Sequence, residues 1–227
     1  MSLRRLILFA AIALALAILF VRLGFWQIRR LHERRARNAD VAARLAMPPV
    51  PVAQLLDSNA TYRRVVVVGT PDYAHEFVIT GRSRDGSPGV HVMTPVRLAS
   101  GAAVLVNRGW VYAADAATVE LTRWHEPLDS LRGYLDTLHT TSSYADSVRG
   151  GKARGASLIA ARMLVPYPVA RSYVIVTEPV SDTAPARLGS PVLDDGPHLS
   201  YAIQWFAFAT IAVVGTGVVI ARNRRPA

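Results

Sequence analysis

Two long apolar runs, one near each end of the chain, restrict its fold more than anything between them. Residues 200–221 offer 22 positions without a charge, about 33 Å of helix at 1.5 Å per residue. A bilayer core is about 30 Å thick, so this stretch predicts a membrane-spanning helix. The other run, residues 6–21, follows a basic start at Arg4 and Arg5 and meets its first charge at Arg22, which can snorkel to the interface. Its basic start fits a cleavable signal, but the apolar run is long and no small-x-small site closes it. An uncleaved span is therefore expected. The chain divides into a first span (6–23), a helical extension (24–44), a middle domain (45–197), a second span (198–221) and a basic tail (222–227).

The formal net charge of +10 has to be located before it is interpreted. Residues 45–197 carry 14 basic and 14 acidic side chains, so the middle domain is neutral. The whole excess flanks the two apolar runs, where basic residues act as topology signals and contacts to lipid headgroups. Nucleic acid is thereby excluded as a partner. The absence of cysteine excludes disulfides, thiolate metal sites and cysteine nucleophiles. Two spans put both termini on one side. Six arginines between positions 22 and 37 argue for one orientation. Asp194 and Asp195 before the second span, with Arg222, Arg224 and Arg225 after it, argue for the other. The second span decides the expectation: both ends cytoplasmic, the middle domain outside.

The middle domain reads as mostly β. Strands are expected over 62–70, 76–80, 91–98, 102–112, 128–135 and 173–177, from their β-branched and aromatic content and their turn-rich borders. Residues 81–89 read as a loop in which Asp85-Gly86 suits a tight turn. Residues 137–155 form a polar loop, and 156–164 a short helix stopped by Pro166 and Pro168. Residues 183–197, rich in proline, link back to the membrane. The fold class is α+β: two transmembrane helices flanking a mainly antiparallel sheet or small open barrel with one or two helices.

Enzyme templates are missing. The chain has no P-loop, GxGxxG, GxSxG or HExxH, and its six histidines are scattered. Asp194-Asp195 reads as a pair of solvated turn formers. Two constellations remain. The first is the mouth of the second span, where Trp205 lies seven residues after His198 and so on nearly the same helical face, with Tyr201 between them. Across from it, Arg22, Trp26 and Arg29 share a face of the first helix. A neutral imidazole is a common protein ligand of haem iron. Aromatic walls from Trp205, Tyr201 and Trp26 suit a flat macrocycle, and Arg22 and Arg29 offer cations for its propionates. A lone histidine before a span also reads simply as an interfacial residue. The second constellation is Asn107-Arg108-Gly109-Trp110, which reads as a bulge with a core or belt tryptophan, or as Arg108 and Trp110 holding a planar anion at the membrane mouth. Arg82 and Arg84 invite the same two readings, with a solvated loop favoured.

The order LGFWQIRRLHER, Tyr-Arg-Arg-Val, GRSRDGSPGVHVMTPVRL, NRGWVY and HLSYAIQWFAFA resembles the surfeit locus protein 1 family, assembly factors of haem-copper cytochrome oxidase, over essentially the whole chain. The resemblance implies two spans, cytoplasmic termini and a periplasmic or intermembrane-space domain. It also implies a non-enzymatic role in supplying haem a to the catalytic oxidase subunit, subunit I, with haem a synthase as a further partner. His198 and Trp205 match the family's second-span mouth, that histidine being the favoured haem ligand. Gln204 lies in the same motif. Gly24 and Trp26 match its Gly-x-Trp, and Asn107 to Trp110 match its NRGW. Two departures stand out: Asp-Asp-Gly-Pro leads into His198 where an Asn-rich segment is common, and Tyr112-Ala113 replaces a proline after NRGW. Arginine supplies 25 of the 26 basic residues and no transit peptide is evident, which points to a bacterial inner membrane. The alternative expectation is a haem-independent scaffold for a nascent oxidase subunit. A haem-modifying membrane enzyme is a third and poorer one, because it needs ligating histidines the chain does not offer.

Overall fold

The computed structural model describes residues 2–56, 58–126, 130–140 and 147–223. The start of the strand expected at 128–135, part of the loop at 137–155, and Arg224 and Arg225 in the tail lie outside them. The chain divides into two units, Met1–Ala42 with Val192–Ala227, and Ala43–Pro191.

Helix α1 runs unbroken over Leu3–Ala46. No proline interrupts it, and it stops just before Pro48-Pro49, which disfavour helix in the residues preceding them. The apolar run and its arginine-rich extension are thus one rod. Its buried positions are Ala17, Gly24, Gln27 and Leu31; Phe20, Arg34 and Asn38 on the same stripe are half-buried. Spacings of three and four residues repeating every seven are those of a helix packed along one seam.

The second unit is built on one sheet. In chain order its strands are β1 (Val50–Pro51), β2 (Arg64–Val67), β3 (Thr70–Pro71), β4 (Phe77–Arg84), β5 (Ser87–Arg97), β6 (Ala103–Tyr112), β7 (Leu131–Thr137), β8 (Val148–Arg149), β9 (Lys152–Ala153) and β10 (Ser172–Glu178). The sheet order is β1-β2-β7-β10-β6-β5-β4-β9-β8, with β3 paired to β5. Most pairings are antiparallel, but β1 with β2, β6 with β10 and β4 with β9 are parallel. The sheet is therefore mixed and open-ended.

The loop expected at 81–89 is mostly strand. β4 and β5 continue through it and turn only at Asp85-Gly86, where φ is 51° and 79°. Positive φ at both central residues is what a two-residue hairpin needs to match strand twist. The loop at 137–155 contains the short β8–β9 hairpin. Helix α2 spans Leu158–Leu164, opened by Ser157, whose Oγ accepts from the Ala160 amide at 3.0 Å.

Both faces of the central strands are buried, which explains their near-continuous apolar runs. Val104, Val106, Val174 and Val176 face one core with Val65, Leu131 and Leu135. Leu105, Tyr173 and Ile175 face the other with Phe77, Ile79 and Met93, beneath Leu158 and Ala161 of α2.

Helix α3 covers His198–Asn223. It and α1 are both long and apolar enough to cross a membrane.

Candidate functional site

Within the first unit, α1 and α3 pack side by side in opposite directions. Moving along α1, Phe20 stacks on Trp205 with ring centroids 5.7 Å apart, Gly24 lies under Phe206, and Gln27 meets His198. Arg34 then reaches Asp194. Small residues make this approach possible. Ala202 and Ala209 are buried on α3, and a Cβ placed on Gly24 would stand 2.6 Å from the Phe206 ring.

The seam fixes His198. Its Nδ1 lies 2.9 Å from the Gln27 amide oxygen. With oxygen as acceptor, Nδ1 carries the proton and Nε2 keeps its lone pair. Nε2 has no hydrogen-bond partner among the described residues. The lead-in is held as firmly. Arg34 binds both the carboxylate and the backbone oxygen of Asp194, at 2.5 and 2.8 Å, and Asn38 donates to the same backbone oxygen at 2.7 Å. Arg35 grips Asp195 through two nitrogens at 2.7 and 3.0 Å, and that hydrogen bond holds the Asp195 carboxyl below its ordinary range. Asp194 and Asp195 are thus fastening points and not merely solvated turn formers.

The rest of the expected cradle is only partly assembled. Trp205 faces the seam, but Phe20 and Phe208 already cover its ring. Tyr201 is exposed on the flank beside it, and Gln204 is exposed. Arg22, Trp26 and Arg29 do share a face, yet it points away from α3. At 100° per residue they lie roughly 140–160° around the helix from Gly24, and all three are exposed. The structure does not bring them to His198. The residues that do meet it or its neighbours, Gln27 and Phe20, were not anticipated. Their signal was present in the seven-residue recurrence of Ala10, Ala17 and Gly24, matched by Ala202 and Ala209.

The second constellation belongs to the core of the other unit. Asn107-Arg108-Gly109 forms a bulge in mid-strand, with Val92 opposite Gly109 and Met93 opposite Asn107. Gly109 has φ 135° and no room for a Cβ, which would meet the Ala186 carbonyl at 2.4 Å. Arg108 is fully buried. Its guanidinium pairs with the Glu76 carboxylate, donates to Thr94 Oγ1 at 2.8 Å and to the Trp124 carbonyl, and reaches Glu126 at 3.3 Å. Arg187 completes the cluster, 2.7 Å from Glu126 and 2.6 Å from the Arg108 carbonyl. Of the two readings, the bulge is the one the strand shows; every guanidinium nitrogen of Arg108 is engaged within the protein, which leaves it no free donor for an anion. Trp110 lies over Gly89 and exchanges backbone hydrogen bonds with Ala186 at 2.8 Å. Arg82 and Arg84 lie on β4 and not in a loop; Arg84 is exposed as expected, and the two donate to the backbone oxygens of Arg154 and Arg187.

The sequence profile of the SURF1 family matches residues 14–210, which takes in the α1–α3 seam at Gly24, Gln27, His198 and Trp205. An uncharacterized SURF1-like protein of Mycobacterium bovis is 30% identical across 91% of this chain and 82% of its own length. A SURF1-like protein of Rickettsia felis is 24% identical across 90% of this chain and 93% of its own. The cytochrome oxidase assembly protein SHY1 of Saccharomyces cerevisiae is 29% identical across 43% of this chain and 26% of its own length. With the profile spanning most of the sequence and both helices of the seam, the chain belongs to the SURF1 family.

Proposed function

We propose that this protein is an assembly factor of a haem-copper oxidase that holds haem a as cargo at the outer end of α3 and passes it to the catalytic oxidase subunit. The observation that carries the reading is the Gln27–His198 hydrogen bond. It fixes the ring and leaves Nε2 as the basic nitrogen, the state required of an axial ligand to haem iron. The similarity to the yeast cytochrome oxidase assembly protein SHY1 supports the oxidase as client. Tyr201 offers an exposed ring on the same flank. Both termini are cytoplasmic in this reading and the sheet unit is periplasmic in a bacterial inner membrane, with the acidic pair before α3 and Arg222 at its other end as the orienting charges. Haem a synthase is the natural donor.

Optical titration of the full chain in detergent with haem a, beside His198→Ala and Trp205→Ala, tests this. Saturable binding with a ligand-field band lost in His198→Ala supports it. Failure of the folded wild-type protein to bind haem a overturns it.

One observation favours a second reading, a haem-independent scaffold for a nascent oxidase subunit. Trp205 and Gly24 are already consumed by helix packing, as residues of a rigid docking hairpin would be. Capture of the oxidase subunit from haem-depleted membranes distinguishes the two.

A further inference from the structure

A cavity of about 320 Å³ lies in the sheet unit on the face opposite the Arg108 cluster. Its floor is four neighbouring strands, with Ile79 on β4, His91 on β5, Asn107 on β6 and Tyr173 on β10. Arg82, His139 and Arg154 stand around it.

Among the described residues the lining holds two arginines and two histidines and no carboxylate; Asp136 lies just outside it, accepting from the Tyr173 hydroxyl at 3.0 Å. Arg82 Nε is buried without a hydrogen-bond partner among the described residues, although the same guanidinium donates through Nη2 to the Arg154 backbone oxygen at 3.0 Å. A buried guanidinium N–H left unmatched costs desolvation energy that a bound acceptor recovers. Asn107 Nδ2 sits 3.4 Å from His91 Nδ1, so the amide donates to that nitrogen and the ring's own proton is on Nε2, a further donor. His91 is neutral at physiological pH: burial first, and then the nearby Arg82, push it down to about 4. The site thus presents N–H donors around the Arg82 guanidinium, and Asp136, the carboxylate beside it, is bound by the Tyr173 hydroxyl.

We infer that this cavity is a binding site for a small oxyanion, a carboxylate or phosphate group seated on Arg82 with His91 beside it. The volume admits a headgroup or a short organic acid and excludes a macrocycle, so the site is separate from the one proposed at His198. Asn107 is its link to the NRGW motif: the bulge sends Asn107 to the cavity and Arg108 into the opposite core.

The test uses the full chain in detergent at fixed ionic strength, titrated with inorganic phosphate and separately with acetate against matched chloride. Binding is read from the His91 ring resonances and by calorimetry. Saturable binding of either anion, at least tenfold weaker in Arg82→Gln, is expected; the preferred anion identifies phosphate ester or carboxylate as the natural class. Asn107→Asp keeps the acceptor that receives the Gly109 amide at 3.1 Å and adds a negative charge to the cavity lining, so it must abolish binding even if Arg82→Gln fails to fold. Neither anion shifting His91 beyond the chloride control, or Asn107→Asp binding as wild type, overturns the inference.

Discussion

Gln27 and His198 stand 171 positions apart in the chain, and the amide oxygen of one lies 2.9 Å from Nδ1 of the other. A contact of this kind sets both the ring's direction and the nitrogen that keeps its lone pair. On the proposed role, replacing Gln27 by Leu lowers haem a affinity about tenfold, the usual size of losing a ligand's outer hydrogen bond. Gln27→Glu, which keeps an acceptor, retains most of it. Optical titration reads both, and equal affinity for Leu and Gln at position 27 removes the orienting role.

Gly24→Ala drives a methyl into the Phe206 ring; overpacking of about 1–3 kcal/mol is offset by about 1 kcal/mol of helix propensity, which leaves a net loss of about 0–2 kcal/mol. Phe206→Leu in the same chain gives the methyl room, so the double variant recovers more than half of the loss in thermal midpoint. Additive effects of the two changes would show that the residues do not share the space.

Arg108→Met leaves Glu76 and Glu126 facing a buried apolar group. The expected penalty is about 3–5 kcal/mol, seen as a lower denaturant midpoint of the sheet unit. Arg108→Lys recovers little, because one ammonium cannot reach Thr94, Glu76 and the Trp124 carbonyl together. On the proposed role, haem a binding by whatever fraction stays folded is unchanged, which separates this cluster from the α1–α3 site.

His91 gives the sheet unit an acid-sensitive limb. Its folded value, about 4, lies below the ordinary 6.5, so between those limits the unfolded chain takes up a proton that the folded one refuses. Stability from this group is complete above about pH 6.5 and is lost as pH falls through 4. A plot of thermal midpoint against pH shows this decline for wild type and a flatter course for His91→Asn.

The two spans, the strand-rich middle and the short helix α2 were legible because each is written in a local pattern of apolar length, period or breaker. The continuity of α1 was harder to read, since composition changes at Arg22 while helix propensity does not. The turn at Asp85-Gly86 was legible, but the strands running up to it were hidden by Gly81 and Gly89, which suggested a loop. Arg108 could not be placed from its neighbours: Glu76 and Glu126 lie 32 and 18 positions away, and nothing nearby signals a buried cluster. Trp26 was assigned to the site by analogy of chemistry, whereas the seven-residue recurrence of small residues on α1 selects Gly24 and Gln27 and turns Trp26 outward. Periodicity, in that helix, outranked residue type.

The two helices of the seam belong to opposite ends of the sequence, so their pairing closes a loop containing every strand. Closure entropy grows only with the logarithm of loop length, about 0.6 kcal/mol per doubling, so the hairpin tolerates a whole domain between its arms at little thermodynamic penalty. The order of events in time is less forgiving. A chain interrupted before position 198 has α1 with its Gln27 amide and no imidazole to receive. The imidazole is therefore the last partner of the Gln27 amide to be synthesised, after every strand of the sheet has been made.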